Sequence, residues 1–156
     1  MTEPATHDPF DDGKRYSGPE ILVSYDARRC RHAGECVRGL PQVFDVGRRP
    51  WIVPGAALPD EVATVIRRCP TGALQYRSTT GADTEQPDPV TTVRAVPGGP
   101  LLLRGDLRVW MDQPGVGVGM RRETRMAACA CGATGLAPYC DGSCGVEAID
   151  TSTEEK

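Results

Sequence analysis

The apolar positions of this chain come in short runs broken by turn residues, and their rhythm changes along the sequence. In the first half, Ile21–Tyr25 is a short β-branched run that predicts a strand. It delivers the chain to a cysteine at position 30. Residues 36–40 fit one helical turn, ended by Gly39 and Pro41, and residues 51–53 read as a strand between two prolines. Val62, Val65, Ile66 and Cys69 fall at i, i+3, i+4 and i+7, which is one face of a helix. Pro59 and Asp60 suit its start, and Pro70 limits its end. Residues 74–77 extend as a last strand.

After position 90 the apolar runs remain short. They cover 90–93, 101–103, 107–111 and 116–120, separated by Pro97-Gly98-Gly99-Pro100, Gly105-Asp106 and Asp112-Gln113-Pro114-Gly115. That spacing predicts β-hairpins and no long helix. Residues 79–89 are polar, with Gly81, Pro87 and Pro89, and read as a linker. Residues 1–15 are acidic and lack an apolar run, so they read as a disordered N-terminus; residues 149–156 read as a disordered tail. The expected organisation is therefore α+β, with one small domain over 16–78 and a β-rich one over 90–148. No internal repeat is visible.

Composition sharpens this picture in three ways. Aromatics make up 5% of the 156 residues while Gly and Pro number 18 and 14, so each core is thin. Domains of about 60 residues bury a modest share of their surface and often need a covalent or metal staple. Seven cysteines, an odd number, fit poorly with a complete set of disulfides. The acidic start is neither a secretory signal nor a transit peptide, and no stretch approaches membrane-spanning length. A cytoplasmic location is expected, where such cysteines bind metal or serve redox chemistry. A net charge of −3 argues against nucleic acid as the main partner. Arginine outnumbers lysine 16 to 2, a bacterial, GC-rich flavour of composition.

The cysteines fall into two systems. The later one is Cys129-Ala130-Cys131 followed by Pro138-Tyr139-Cys140-Asp141-Gly142-Ser143-Cys144, spaced C-x-C-x8-C-x3-C. The earlier one is Cys30-Arg31-His32-Ala33-Gly34-Glu35-Cys36, joined at a distance by Cys69-Pro70. Thiolates bind soft metals and iron–sulfur clusters. A tetrahedral zinc would accept the four later thiols, but zinc motifs more often use C-x2-C knuckles. The three earlier thiols, read blandly, are small buried hydrophobes; a Cys-x5-Cys loop with a Cys-Pro after a helix argues for a cluster instead. No Ser/His/Asp triad or phosphate loop is present, and Gly115-Val116-Gly117-Val118-Gly119 lacks the GxGxxG spacing.

The later motif resembles the CDGSH (mitoNEET-type) iron–sulfur family through Cys129, Cys131, Thr134, Pro138, Cys140, Asp141, Gly142 and Ser143, with Gly99-Pro100 and Gly105-Asp106 upstream. Cys144 stands where that family has a ligating histidine. The resemblance implies a [2Fe–2S] cluster, with Cys129 and Cys131 on one iron and Cys140 and Cys144 on the other. Asp141 and Gly142 are expected to start a helix whose N–H groups face sulfide. An all-thiolate centre has a lower potential than one with imidazole, and it lacks imidazole's response to mild acid. Residues from Tyr16 to Arg77 resemble the divergent mono-cluster ferredoxin family, through the cysteines, the run Cys36-Val37-Arg38-Gly39, Phe44, and Arg49-Pro50-Trp51-Ile52. Ala33 occupies the place of the usual second cysteine. Cys30, Cys36 and Cys69 satisfy a [3Fe–4S] cluster; a [4Fe–4S] cluster ligated by His32 or capped by solvent is the alternative.

The two resemblances together imply a two-cluster electron carrier between a reductase and an oxidoreductase such as a monooxygenase, with no catalytic residue of its own. Cluster storage, cluster transfer or redox sensing is the alternative. Membranes are not an expected partner, and CDGSH domains with a single motif often form homodimers. Arg28, Arg29, Arg31, Arg38, Arg67 and Arg68 surround the first cysteines, either as a solvated face or as a basic docking patch.

Overall fold

The computed structural model describes residues 6–80, 85–113, 117–146 and 148–151. Among these residues it holds seven strands in two sheets and two short α-helices, an α+β fold with a β-rich second half. No helix among them is long and apolar enough to cross a membrane.

Three antiparallel strands form the first sheet: β2 (Lys14–Ser17), β3 (Ile21–Tyr25) and β4 (Leu74–Ser78), in the order β2-β3-β4. Ile21 and Val23 alternate onto one face of β3, and Leu74 and Tyr76 do so on β4. Helix α1 (Glu35–Gly39) is a single turn, and helix α2 (Pro59–Ile66) begins with proline at its first position. The Glu61 carboxylate accepts from the backbone N–H of Leu58 at 3.1 Å, closing the start of α2. Val62, Val65 and Ile66 turn inward and meet Val23, Phe44, Ile52, Leu74 and Tyr76 in the main core. The strand expected over 51–53 is reduced to one bridge between Phe44 and Ile52.

The second sheet runs β1-β7-β6-β5, from β1 (Thr6–His7), β5 (Thr92–Ala95), β6 (Leu101–Gln113) and β7 (Gly117–Ala128). The two apolar runs 101–103 and 107–111 are one long strand. Gly105-Asp106, expected to separate them, instead forms the register shift between Arg104 and Leu107. Gly105, at φ 145°, takes the backbone that a bulge needs. β7 also continues past the apolar run, through Arg121–Arg125, to Ala128.

Both ends of the chain depart from expectation. Residues 6–15 are not disordered: β1 pairs in parallel with β7, and a 3₁₀ turn follows at Pro9–Asp12. Phe10 is 2% exposed, and its carbonyl accepts from Ser24 Oγ at 2.6 Å. Burying one Phe side chain stabilises by roughly 1.5–3 kcal/mol, which holds the segment despite its acidic composition. At the other end, Ile149 and Thr151 are buried, so the tail is packed up to residue 151. Residues 1–5 of the expected disordered start, 81–84 of the linker, 114–116 of the hairpin turn and 152–156 of the tail lie outside the described residues.

Candidate metal centres

Cys30, Cys36 and Cys69 line one largely apolar pocket together with Tyr25, Trp51 and Leu74. Strand β3 delivers Cys30, α1 carries Cys36, and the turn after α2 supplies Cys69. Their ionisation is unequal. Burial, and then the neighbouring Cys69, pushes the Cys36 thiol up to about 11. Burial also raises Cys69, but Arg125 and N–H groups from Leu74 and Thr71 outweigh it, so that thiol is held below its ordinary value. Three thiolates in one apolar pocket repel each other unless a cation compensates them, and a metal cluster is such a cation. The donor set therefore fits a thiolate-held cluster.

Tyr25 and Thr71 join this site without having been expected there. The Tyr25 phenol bonds to Cys30 and is raised well above its usual range by burial and then by that thiol. Thr71 Oγ1 lies 3.6 Å from Cys69 Sγ. The closing position of a strand and a hydroxyl two residues after a cysteine were the only signals available in sequence. His32 and Ala33 line the same pocket. His32 has a left-handed backbone, φ 55°, which sets its Nδ1 4.0 Å from Cys30 Sγ. A positive φ is uncommon outside glycine, with histidine among the enriched exceptions.

The second site is built by closing a loop onto β7. Ala128 bridges to Tyr139, Cys129 N–H donates to Pro138 O at 2.8 Å, and Cys140 N–H donates to Ala127 O at 2.8 Å. The sulfurs of Cys129 and Cys131 are 3.7 Å apart. Two thiolates on one tetrahedral metal, each about 2.3 Å from it, are separated by about 3.8 Å. Cys140 and Cys144 make a second thiol pair in mutual contact. Among the described residues no three His, Cys, Asp or Glu side chains converge on a single-ion site. A two-iron cluster takes two ligands on each iron, which these two pairs could supply.

Backbone N–H groups serve this site in place of the expected helix, which does not form. Gly132 and Ala133 donate to the sulfurs of Cys129 and Cys131 at 3.3 and 3.4 Å. The Thr134 backbone N–H, with that of Gly132, lowers the Cys129 thiol. The Asp141 carboxylate instead organises the turn, accepting from Ser143 Oγ and N and from Gly135 N at 2.6, 3.0 and 2.8 Å. Those bonds, the Ser143 hydroxyl first, keep it far below the ordinary carboxylate range. Gly142 has φ 91°, and a side chain there would collide with the Arg31 guanidinium.

Arg31 belongs to the first cysteine loop, so the two sites touch. Ala33 packs against the buried cluster of Leu102, Ala127, Cys140 and Ile149, and Cys144 packs against the same cluster. The Arg31 carbonyl accepts from Ile149 N–H at 3.1 Å, and Thr151 Oγ1 bonds to Glu35. Deeper in the interface, Arg29 holds both Glu123 oxygens at 3.0 and 3.1 Å, and Tyr139 donates to Glu123 at 2.5 Å. Arg125, 1% exposed, donates to the carbonyls of Ile66, Cys69 and Leu74 and to both oxygens of Glu85. All five of its N–H donors are engaged. Gly72, at φ 73°, leaves room for the Arg125 carbonyl and the Arg29 guanidinium.

The arginines around the first cysteines thus divide. Arg29 is buried in the interface, Arg28 pairs with Asp26, Arg38 donates to Ala33 O, and Arg67 donates to the Tyr76 hydroxyl.

Comparison with known proteins matches residues 16–79 to the family described as "Divergent 4Fe-4S mono-cluster" and residues 98–143 to "Iron-binding zinc finger CDGSH type". The chain is similar to "Uncharacterized protein YjdI" of Escherichia coli (strain K12) and of Escherichia coli O157:H7. Each is 44% identical over 69 residues, covering 44% of this chain and 91% of the relative. No solved structure matches it.

Proposed function

The chain belongs to the divergent 4Fe-4S mono-cluster family and carries a CDGSH-type iron-binding domain behind it, and from that premise we propose that it is an electron carrier holding two clusters in one unit. The observation that carries this reading is Ala33, which lines the pocket of Cys30, Cys36 and Cys69 and also packs against the buried cluster that contains Cys140 and against which Cys144 packs too. Clusters held on those two thiol sets would be neighbours, and each supplies one-electron chemistry when bound. Tyr25 and Thr71 would donate to thiolates of the first cluster, and the N–H groups of Gly132 and Ala133 to those of the second. The chain's own residues hold, insulate and bias the clusters; none acts as a catalytic residue. An external reductase and an oxidoreductase, a monooxygenase by analogy, complete the path. Its seven unpaired cysteines suit a reducing, cytoplasmic setting.

For the first cluster, the [3Fe–4S] expectation rests only on the count of three thiols. The family description and the placement of His32 beside Cys30 favour [4Fe–4S], in which His32 would serve as the fourth ligand. His32→Ala tests this: iron content and EPR of the anaerobically purified protein should change from a [4Fe–4S] to a [3Fe–4S] signature. An unchanged [4Fe–4S] signal would remove His32 from the ligand set. The two-cluster reading itself is tested by EPR-monitored reduction of wild type, which should give two signals that interact magnetically when both clusters are reduced. Cluster transfer is the second reading, favoured by the exposure of Cys131. Rapid delivery of iron–sulfur to an apo-acceptor, without electron exchange with a reductase, would promote it.

A further inference from the structure

Arg31 and Arg29 both bury an Nε that has no hydrogen-bond partner among the described residues, but Arg29 spends its other nitrogens on Glu123 while Arg31 has no such anchor. Among the described residues its Nε is buried without a hydrogen-bond partner, and its side chain makes one bond, from Nη2 to Arg28 O at a long 3.5 Å. It pairs with no carboxylate among the described residues. Asp141, the nearest acid in the turn it covers, is engaged with Gly135 and Ser143. A buried N–H without an acceptor costs about 1–3 kcal/mol, and such orphans in native proteins usually mark a missing ligand atom or water.

The place of the guanidinium narrows the choice. Its Nη1 fills the space that a Cβ at Gly142 would take, between Cys140 and Cys144 in the chain. Its backbone is pinned to the second half by the Ile149 N–H, which holds this loop against the second site. The acceptors expected beside Cys140 and Cys144, once they hold a cluster, are sulfurs: thiolate or bridging sulfide. Resting on the two-cluster reading, we propose that Arg31, carried by the first cysteine loop, donates through Nε–H to sulfur of the second cluster and sets its potential. It is a positioning residue and no ligand. Positive charge and N–H···S bonds both stabilise the reduced, more negative cluster and raise its potential.

This arrangement mirrors the other side of the interface. Arg125, from the second half, compensates the Cys69 thiol and holds its carbonyl. Each cysteine site then draws a cation from the other half of the chain.

The test uses the full chain, purified anaerobically, with the midpoint potential of each cluster read by EPR-monitored titration. Arg31→Met should lower the second cluster's potential by the equivalent of about tenfold in its reduction equilibrium, about 59 mV for one electron. The first cluster should move less. Arg31→Lys keeps the charge but lacks Nε–H, so it should recover only part of the shift. In wild type labelled with 15N-arginine, the reduced second cluster should show a nitrogen coupling that both variants lose. An unshifted second cluster in a loaded Arg31→Met protein, full recovery with lysine, a larger shift at the first cluster, or no nitrogen coupling in wild type would each overturn the role of Arg31. Absence of a second cluster from wild type would instead sink the two-cluster reading on which it rests.

Discussion

Cys30, Cys36 and Cys69 line a pocket backed by the main hydrophobic core, whereas Cys129 and Cys131 stand on a loop closed over the end of β7, with Cys131 exposed. In the first site a buried thiol is pushed up to about 11 and another is pulled down by a buried arginine, so its charges need a cation from outside the pocket. In the second, adjacent backbone N–H groups already point at sulfur, and solvent does part of the screening. The difference teaches that one chain has built two kinds of thiolate site. One is insulated and has a buried arginine beside its thiols; the other is open at Cys131, buried at Cys140, and meets part of its sulfur charge with N–H groups of its own turn.

The sharpest way to break this comparison is to remove one thiol from each. Cys69→Ala should abolish the first cluster and leave the second at full occupancy, measured as iron content and separate EPR signals. Cys131→Ala should do the reverse. Loss of both clusters from either variant would show that the sites do not assemble independently, and the contrast between insulated and open would lose its meaning.

A smaller effect is expected at the shared interface. Arg125→Leu leaves Glu85 without its cation and removes a donor from the carbonyls of Ile66, Cys69 and Leu74, of which Ile66 keeps the Cys69 N–H. Breaking a buried ion pair by removing one partner costs about 3–5 kcal/mol. Chemical denaturation of the variant should show a loss in that range, and the first cluster should be lost before the second. Arg125→Lys should restore only part, since an ammonium cannot reproduce the five-donor fork. If the second cluster goes first, the reliance on a buried arginine has been assigned to the wrong site.

Much of this contrast was legible in sequence, but unevenly. The cysteines and their grouping were plain, because thiols at these spacings have few other uses. β3, α2 and β4 were plain as well, since Ile21, Val23, Val62, Val65 and Ile66 repeat with the period of their element. The segment around Phe10 was not, because one aromatic among acids carries no period. Gly105-Asp106 was read as a turn because glycine marks turns and bulges alike. Least legible was the interface. Arg29 reads as part of a solvated face or a docking patch and Glu123 and Arg125 carry no sequence signal, and only the approach of β7 to the first half makes them buried partners. Two domains with separate cysteine sets look independent in one dimension, and side chains far apart in sequence join them.

The finest test leaves both clusters in place and changes one ligand at the open site. Cys144→His puts a neutral imidazole where a thiolate ligand is proposed, which would remove one negative charge from the second cluster's surroundings. Its potential should rise, while the first cluster's stays where it was. The pH dependence has a definite sign. An imidazole bound to iron is held neutral, so its pKa in the folded protein lies below the ordinary value of about 6.5. Its contribution is fully present above that value and is lost as pH falls toward the lowered one. The variant's second cluster should therefore decay faster below about pH 6.5, while wild type stays nearly flat over roughly pH 5 to 8. The first, insulated cluster is the internal control, and its decay should be the same in both proteins. Identical potentials and identical decay profiles for the second cluster would mean that Cys144 is no ligand, and that the pairing of Cys140 with Cys144 does not hold an iron.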